Sequence, residues 1–398
     1  MSQITIGAAD RSPAATERRT MAVACGAHAL HDGFTDLLYV LLPLWQAEFG
    51  LGYAEVGALR ALYAGAMAGF QLPAGALADR FGGALVLALG TAVAGLGYMM
   101  AGMSVGFATL TAALVIGGLG SSTQHPIAAN FVAHVFAGQR SRAALAGYNF
   151  SGDLGKMALP AATAGLVALL PWRSAAVILG IIGIAGAALV LLARVPPGSV
   201  AREQAAATEA SLGPSAGRGF PLLLSIGVID SATRMGFLTF LPFLLRMKGA
   251  ELPMIGIALT LVFAGGAAGK LVCGFLGARL GVVRAVFITE GLTAVGILAL
   301  VPLPLMAGLA LLPLIGVALN GTSSVLYGTV PELVGPERRQ RAFSIFYTAV
   351  IGAGALSPVL YGLASDAVGV PAVMALIAGV VLLTLPLARG LGPALRRV

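Results

Sequence analysis

The chain has 398 residues, of which 58% are apolar and 10% charged, a formal net charge of +8 and a mean hydropathy of +0.93. Soluble domains carry about 25% charged residues, so this composition excludes a water-facing globule and leaves a polytopic membrane protein. Cys25 and Cys273 lie far apart in apolar runs and predict neither a disulfide nor a metal site.

Hydropathy predicts twelve transmembrane helices, at 21–46, 54–78, 83–103, 106–134, 142–170, 173–194, 220–246, 252–277, 283–303, 305–330, 341–364 and 370–389. With the N-terminus in the cytoplasm, most of the 24 Lys and Arg residues fall on the cytoplasmic side, and Arg60 is among the few assigned to the opposite side. We therefore expect a multi-pass protein of the plasma (inner) membrane with both termini cytoplasmic. The positive charge is a topology signal and does not indicate nucleic-acid binding, and no removable signal peptide is predicted.

An internal repeat organises the chain. A shift of 199 positions aligns the two halves without a gap, including Leu42-Pro43 with Leu241-Pro242, Arg80 with Arg279 and Tyr148 with Tyr347. Six spans per half is an even number, so both halves enter the membrane in the same direction. The sequence predicts an all-α membrane protein with two parallel six-helix repeats, an N-terminal bundle at 1–194, a cytoplasmic linker at 195–219 and a C-terminal bundle at 220–398. This is an arrangement typical of secondary transporters.

The loop after the second span reads Gly75-Ala76-Leu77-Ala78-Asp79-Arg80-Phe81-Gly82-Gly83. It resembles the G-x-L-a-D-R-x-G signature of the major facilitator superfamily, and the repeat and topology match that fold. The resemblance implies that this loop, with Gly75, Asp79, Arg80 and Gly82, gates the conformational change by latching cytoplasmic helix ends together. The second copy, from Gly274 to Gly281, has Ala278 in place of the acid, which puts a second latch in doubt.

Two further stretches resemble the fosmidomycin-resistance branch of that superfamily, which exports drugs. They are His28-Ala29-Leu30-His31-Asp32-Gly33 in the first span and Gly118-Leu119-Gly120-Ser121-Ser122-Thr123-Gln124-His125-Pro126 in the fourth. The second half carries no motif of that branch. The resemblance implies efflux of a small compound, with drug resistance as the outcome.

Ionisable residues inside spans are candidate functional residues because burying each in hydrocarbon costs at least about 2.5–3.5 kcal/mol. Helical spacing places the polar residues of the first span on one face and stacks Asn149, Asp153 and Lys156 on one stripe of the fifth. We predict proton coupling by Asp32, His31, Asp153, Asp36 and Asp230. For the substrate we predict contacts with Arg234, Lys156, Lys270, His125, Gln124, Asn149, Tyr39 and Asn320.

Structural roles compete with these assignments. Asp230 and Arg234, four residues apart, fit a neutralising pair equally well, and so do Asp153 and Lys156. His125 precedes Pro126, so its ring fits a packing role. Asp36 and Tyr39 are predicted near the outer end of their span, where they would face water.

The function predicted first is a proton-coupled antiporter that exports a small anionic or zwitterionic compound by alternating access. The alternatives are export of a divalent metal ion on His28, His31, Asp32 and His125, and proton-coupled import of a metabolite anion. A channel is disfavoured because two repeats suit alternating access. An enzyme is disfavoured because no nucleophile–base pair was found. We expect no cofactor and a monomer whose partners are a small-molecule substrate, protons and lipid.

Overall fold

A computed structural model describes residues 13–136, 138–193, 195, 219–335 and 338–395, and these are helical apart from short connections. The N-terminal half contains α1 (Pro13–Phe49), α2 (Tyr53–Gly69), α3 (Gln71–Phe81), α4 (Gly83–Gly102), α5 (Phe107–Ser121), α6 (Gln124–Val135), α7 (Gly138–Leu169) and α8 (Trp172–Leu192). The C-terminal half contains α9 (Gly219–Met247), α10 (Leu252–Leu280), α11 (Val282–Leu300), α12 (Leu305–Leu333), α13 (Arg339–Val368), α14 (Val370–Leu382) and α15 (Thr384–Leu395). Apart from Val195 and Gly219, the predicted linker lies outside the described residues.

These fifteen helices form twelve spans because three spans are each built from two consecutive helices, α2–α3, α5–α6 and α14–α15. Eight spans within the described ranges are long and apolar enough to cross a membrane by length and composition. The other four are α1, α7, α2–α3 and α5–α6, which contain polar residues or a break. The second and fourth spans were predicted as continuous helices, and the structure interrupts them at Phe70 and at Ser122–Thr123.

The two halves pack in the same way, which confirms the parallel repeat. In the first half α1 packs on α7 and α4 on α8, and in the second half α9 packs on α13 and α11 on α14. Between the halves α2 packs on α13 and α7 on α10, which are the two contacts that a pseudo-twofold axis exchanges. A glycine sits at both: a Cβ on Gly57 would lie 2.1 Å from the carbonyl oxygen of Pro358, and one on Gly256 would lie 2.5 Å from the Cβ of Ala164.

The hydrophobic core shows where the halves separate. We call the membrane side where α1 begins and α15 ends the terminal end, and the opposite side the far end. Towards the far end one cluster joins both halves, and it includes Tyr39, Trp45, Phe240 and Phe243. Towards the terminal end there is one cluster around Phe131 in the first half and another around Phe346 in the second. The space between the halves therefore opens at the terminal end.

Polar contacts close the far end. Asp366, near the end of α13, accepts hydrogen bonds from the backbone N–H groups of Tyr53 (2.7 Å) and Ala54 (2.9 Å) at the start of α2. A carboxylate at a helix N-terminus is favourable because it satisfies free N–H groups and meets the positive end of the helix dipole. Arg246 on α9 also donates to the carbonyl oxygen of Pro43 on α1 at 3.3 Å. These bonds must break before the far end opens.

We predict that Asp366→Ala shifts the protein towards a far-end-open state. The loss of one exposed capping carboxylate corresponds to about 0.5–1 kcal/mol, or a two- to fivefold change in the ratio of states. Spin labels at the exposed Leu169 and Val368 would report the change as a larger population at long distance. Glu48→Gln, which alters a far-end pair within the first half, is the control. An unchanged distance distribution in Asp366→Ala would contradict the latch.

Candidate functional site

The polar face of α1 carries the main cluster of ionisable groups. Asp32 is 7% exposed, and its Oδ1 lies 3.1 Å from His31 Nδ1 and 3.9 Å from His125 Nε2 on α6. Its Oδ2 lies 3.4 Å from His28 Nε2 and 3.3 Å from Lys156 Nζ on α7. Helices α1, α6 and α7 therefore bring four other predicted site residues together around the Asp32 carboxylate.

Glycines on α7 make this cluster possible. A Cβ on Gly152 would lie 2.7 Å from both Asp32 Oδ2 and His28 Nε2, and one on Gly155 would lie 1.9 Å from the carbonyl oxygen of Ala29. Any larger residue at these positions would push α7 away from α1. The sequence therefore brings the helices close enough for the Lys156 ammonium to reach across to Asp32.

The hydrogen bonding of the His28 ring leaves its contact with Asp32 without a hydrogen atom. Its Nδ1 lies 2.9 Å from the carbonyl oxygen of Tyr148, and a carbonyl only accepts, so Nδ1 carries hydrogen. In a neutral ring Nε2 then has a lone pair, which faces Asp32 Oδ2 at 3.4 Å. One added proton, on either His28 or Asp32, turns that contact into a hydrogen bond.

The charge pairing differs from the pairs considered in the sequence. Lys156 contacts Asp32 and does not pair with Asp153. Asp153 instead accepts two hydrogen bonds from Lys270 on α10, at 2.6 and 2.8 Å. Lys270 has a 44% exposed side chain, whereas that of Asp153 is 11% exposed. This second pair joins the two halves of the molecule.

A third polar group lies towards the far end and corrects two expectations. Asp36 and Tyr39 are buried, at 6% and 0% exposure, and do not face water. Arg60, assigned from the sequence to the side opposite the termini, is 5% exposed within α2 and donates to the Tyr39 hydroxyl at 3.2 Å. The hydroxyl of Tyr39 also lies 3.6 Å from the sulfur of Met235 on α9. These residues fill the space between the Asp32 cluster and the far end.

His31 connects the cluster to a small cavity of about 10 Å³, also lined by Thr91, Thr123 and Gln124. This volume suits one water molecule. The Nε2 of His31 is buried without a hydrogen-bond partner within the described residues. Gln124 is buried beside it, whereas the side chain of His125 is 38% exposed.

The remaining candidates are more dispersed. In the C-terminal half Arg234 Nη2 lies 4.0 Å from Asp230 Oδ2, with side chains 18% and 4% exposed. Asn320 is half-buried, and its amide donates to the carbonyl oxygen of Gly316 in its own helix at 3.2 Å. Asn149 is exposed, one turn from Asp153 towards the terminal end.

Besides Arg60, the buried acid Glu290 on α11, which is 1% exposed, was not among the predicted site residues. The signal was present, because an acid stands in the middle of a predicted apolar span. Its carboxyl group lies beside that of Asp230.

The predicted gating loop lies at the terminal end. Asp79 and Arg80 are exposed near the end of α3, and Asp79 makes no hydrogen bond or ion pair within the part of the chain described. Gly82 has φ of 90°, and its repeat mate Gly281 has φ of 78°, so both turns need a residue that tolerates positive φ. Gly75 is half-buried. Asp79 does not cap the next helix, because α4 has no side-chain cap.

Comparison with known proteins identifies the family. The model of the Major Facilitator Superfamily matches residues 24–227 and again residues 222–397. A bacterial homologue of the human lysosomal transporter Spinster has the same fold in two inward-facing crystal structures. The occupied form has a TM-score of 0.76 over 94% of this chain and 96% of that one, and the unoccupied form 0.78 over 96% and 98%, each at 17% identity.

Among curated proteins, the "Probable L-galactonate transporter" of Escherichia coli strain K12 is 27% identical over 139 residues, which is 35% of this chain. The match spans 31% of that relative's length. The resemblance to the fosmidomycin-resistance branch is not confirmed by these matches. Because the family model covers nearly the whole chain, once for each half, the chain belongs to the Major Facilitator Superfamily and is a multi-pass membrane transporter.

Proposed function

We propose that this transporter carries a small organic anion in a proton-coupled cycle of alternating access, as a monomer in the plasma (inner) membrane with cytoplasmic termini. The observation that supports this most directly is the pairing of cationic and acidic side chains between the halves and around Asp32. Lys156 and Lys270 are each held by a buried carboxylate, and Arg234 stands beside a third. Three cations beside buried carboxylates inside the membrane spans suit a negatively charged substrate.

Each pair of a lysine and a carboxylate couples proton binding to anion binding. While Asp32 and Asp153 are ionised, they neutralise Lys156 and Lys270 and compete with any substrate anion. Protonation of either carboxylate releases its lysine, which can then bind the anion. Binding free energies are reciprocal, so the anion must favour protonation by the same factor. Protons and an anion are therefore expected to bind together and to cross together.

The direction of coupling then depends on the charge of the substrate. The antiport and export predicted first require that proton and substrate exclude one another. A zwitterionic compound or a cationic drug would meet that condition, because its ammonium group would replace the proton on Asp32 or Asp153. A simple anion would not meet it. We favour cotransport of an anion, which is the second of the two alternatives from the sequence. The curated relative is described as a probable transporter of L-galactonate, a sugar acid.

A divalent metal ion is the second candidate substrate, because His28, Asp32 and His125 offer ligand atoms that all lie within 4.8 Å of one another. The hydrogen bond from His28 Nδ1 to Tyr148 directs Nε2 towards Asp32, as outer partners of metal-binding histidines do. His31 completes the predicted set through its contact with Asp32. The Lys156 ammonium, 3.3 Å from the same carboxylate, opposes a cation. We therefore rank metal export below anion transport.

The deciding experiment measures proton movement driven by substrate gradients in proteoliposomes that contain the purified protein and a pH-sensitive dye. The probes are L-galactonate, a phosphonate, a cationic drug, cobalt and zinc. Proton flux in the same direction as L-galactonate or the phosphonate supports anion cotransport. Opposite flux with the drug supports the export predicted from the sequence, and flux with cobalt or zinc alone supports the metal candidate. Either of these last two results would replace the proposal.

We predict that Asp32→Asn abolishes uphill transport and leaves downhill exchange of the anion in place. The amide cannot take up the coupling proton, while Lys156 becomes free to bind the anion. Flux in proteoliposomes with and without a pH gradient would show both effects. Glu48→Gln, which removes an exposed carboxylate at the far end, is the control. Normal uphill flux in Asp32→Asn would remove this carboxylate from the mechanism.

We predict that Lys270→Gln lowers stability by about 1–3 kcal/mol, because it leaves the buried Asp153 carboxylate without its cation. Glutamine is the residue that the repeat places in the second span, at Gln71. Addition of Asp153→Asn should restore most of the loss, and thermal unfolding of the purified variants would measure both changes. Equal destabilisation in the single and double variants would show that the pair is not coupled.

A further inference from the structure

The C-terminal half holds two adjoining buried carboxyl groups. Asp230 on α9 is 3% exposed and Glu290 on α11 is 1% exposed, and their side chains contact each other. The hydroxyl of Thr322 on α12 reaches the Glu290 carboxyl and also donates to Thr289 at 2.6 Å. The Oε1 of Glu290 is buried without a hydrogen-bond partner in the described part of the chain.

The charges around this pair are unequal. Arg234 is the only cation close to it among the described residues, with Nη2 4.0 Å from Asp230 Oδ2. Other ionisable groups on neighbouring helices face the pair or the helices that carry it: Cys273 on α10, Tyr327 on α12, Tyr347 on α13 and Tyr39 on α1. Arg389 of α15 lies farther away, over the Phe287 ring of α11 at the terminal end. Two ionised carboxylates beside one guanidinium would leave one uncompensated negative charge in the membrane interior. Adjoining carboxyl groups avoid this cost by sharing a proton.

We propose that Asp230 and Glu290 form a second proton-binding site, which holds one shared proton in the empty transporter and takes up another when an anion occupies Arg234. The shared proton supplies a hydrogen-bond donor for the Glu290 Oε1 atom, which otherwise has no partner among the described residues. With one proton bound, the pair and Arg234 are together neutral. An anion on Arg234 would make the group negative by one, and a further proton restores neutrality. This last link rests on the proposed transport of an anion, whereas the shared proton does not.

The repeat gives this assignment independent support. Asp230, Glu290 and Thr322 lie 199 positions after His31, Thr91 and Thr123. Those three residues line the small cavity beside Asp32 in the N-terminal half. The same three helix positions therefore form a polar cluster with an ionisable group in each half.

Infrared spectroscopy of the full-length protein in proteoliposomes at neutral pH tests the shared proton without any substrate. We expect the band of a protonated carboxyl group in the wild type and its loss in Glu290→Gln, because the remaining Asp230 is then neutralised by Arg234 alone. Glu48→Gln, which changes an exposed carboxylate at the far end, should leave the band unchanged. Asp230→Asn provides a second variant and should shift or remove the same band. A band that is unchanged in both pair variants would overturn the proposal.

Sodium addition at constant pH separates a proton site from a sodium site. The band should be insensitive to sodium, and its loss on sodium addition would assign the pair to that cation and overturn the proposal. Proton-to-anion ratios with L-galactonate test the link to Arg234, and we expect one proton fewer per anion in Glu290→Gln. An unchanged ratio would overturn the link. If the wild type moves no anion, the proposed function fails, while the infrared result still decides the shared proton.

Discussion

The need to neutralise every charge inside the bilayer governs this structure. Asp32 meets Lys156 within the first half, Asp153 meets Lys270 across the two halves, and Asp230 shares Arg234 with Glu290. An isolated charge would cost several kcal/mol, so each pair holds its helices in one arrangement until a proton or a substrate charge replaces a partner. In the proposed cycle, the same constraint that stabilises the fold also supplies a means of coupling.

The repeat explains why these pairs lie where they do. Two bundles with the same internal packing meet through α2 with α13 and α7 with α10, and glycines at both contacts allow close approach. The far end is closed by a core shared between the halves, whereas separate cores face the terminal end. The Asp153–Lys270 pair lies on one of the two inter-half contacts. Its charge state can therefore influence how the halves move relative to one another.

Much of this architecture could be predicted from the sequence. The 199-residue repeat and the spacing of apolar segments gave the fold class, and the spacing of His28, His31 and Asp32 placed them on one helix face. Pairing was harder to predict. Lys156 is the sequence neighbour of Asp153, but the close approach of α7 to α1 at Gly155 directs it to Asp32. Such a choice depends on helix rotation, which one sequence does not specify.

Two buried charges were missed for different physical reasons. Arg60 lies close to the predicted start of its span and was assigned to the side opposite the termini, although α2 begins at Tyr53 and carries it inside. Glu290 is a single acid in an apolar helix, and its partner Asp230 is distant in the chain. Its significance emerges only from the contact between α9 and α11 side chains.

In the proposed cycle, anion binding and proton binding favour one another. Calorimetric titration of the wild-type protein with L-galactonate, repeated in buffers that differ in ionisation enthalpy, counts the protons taken up per anion bound. We expect net proton uptake near neutral pH. Binding with no proton uptake, or with proton release, would contradict it.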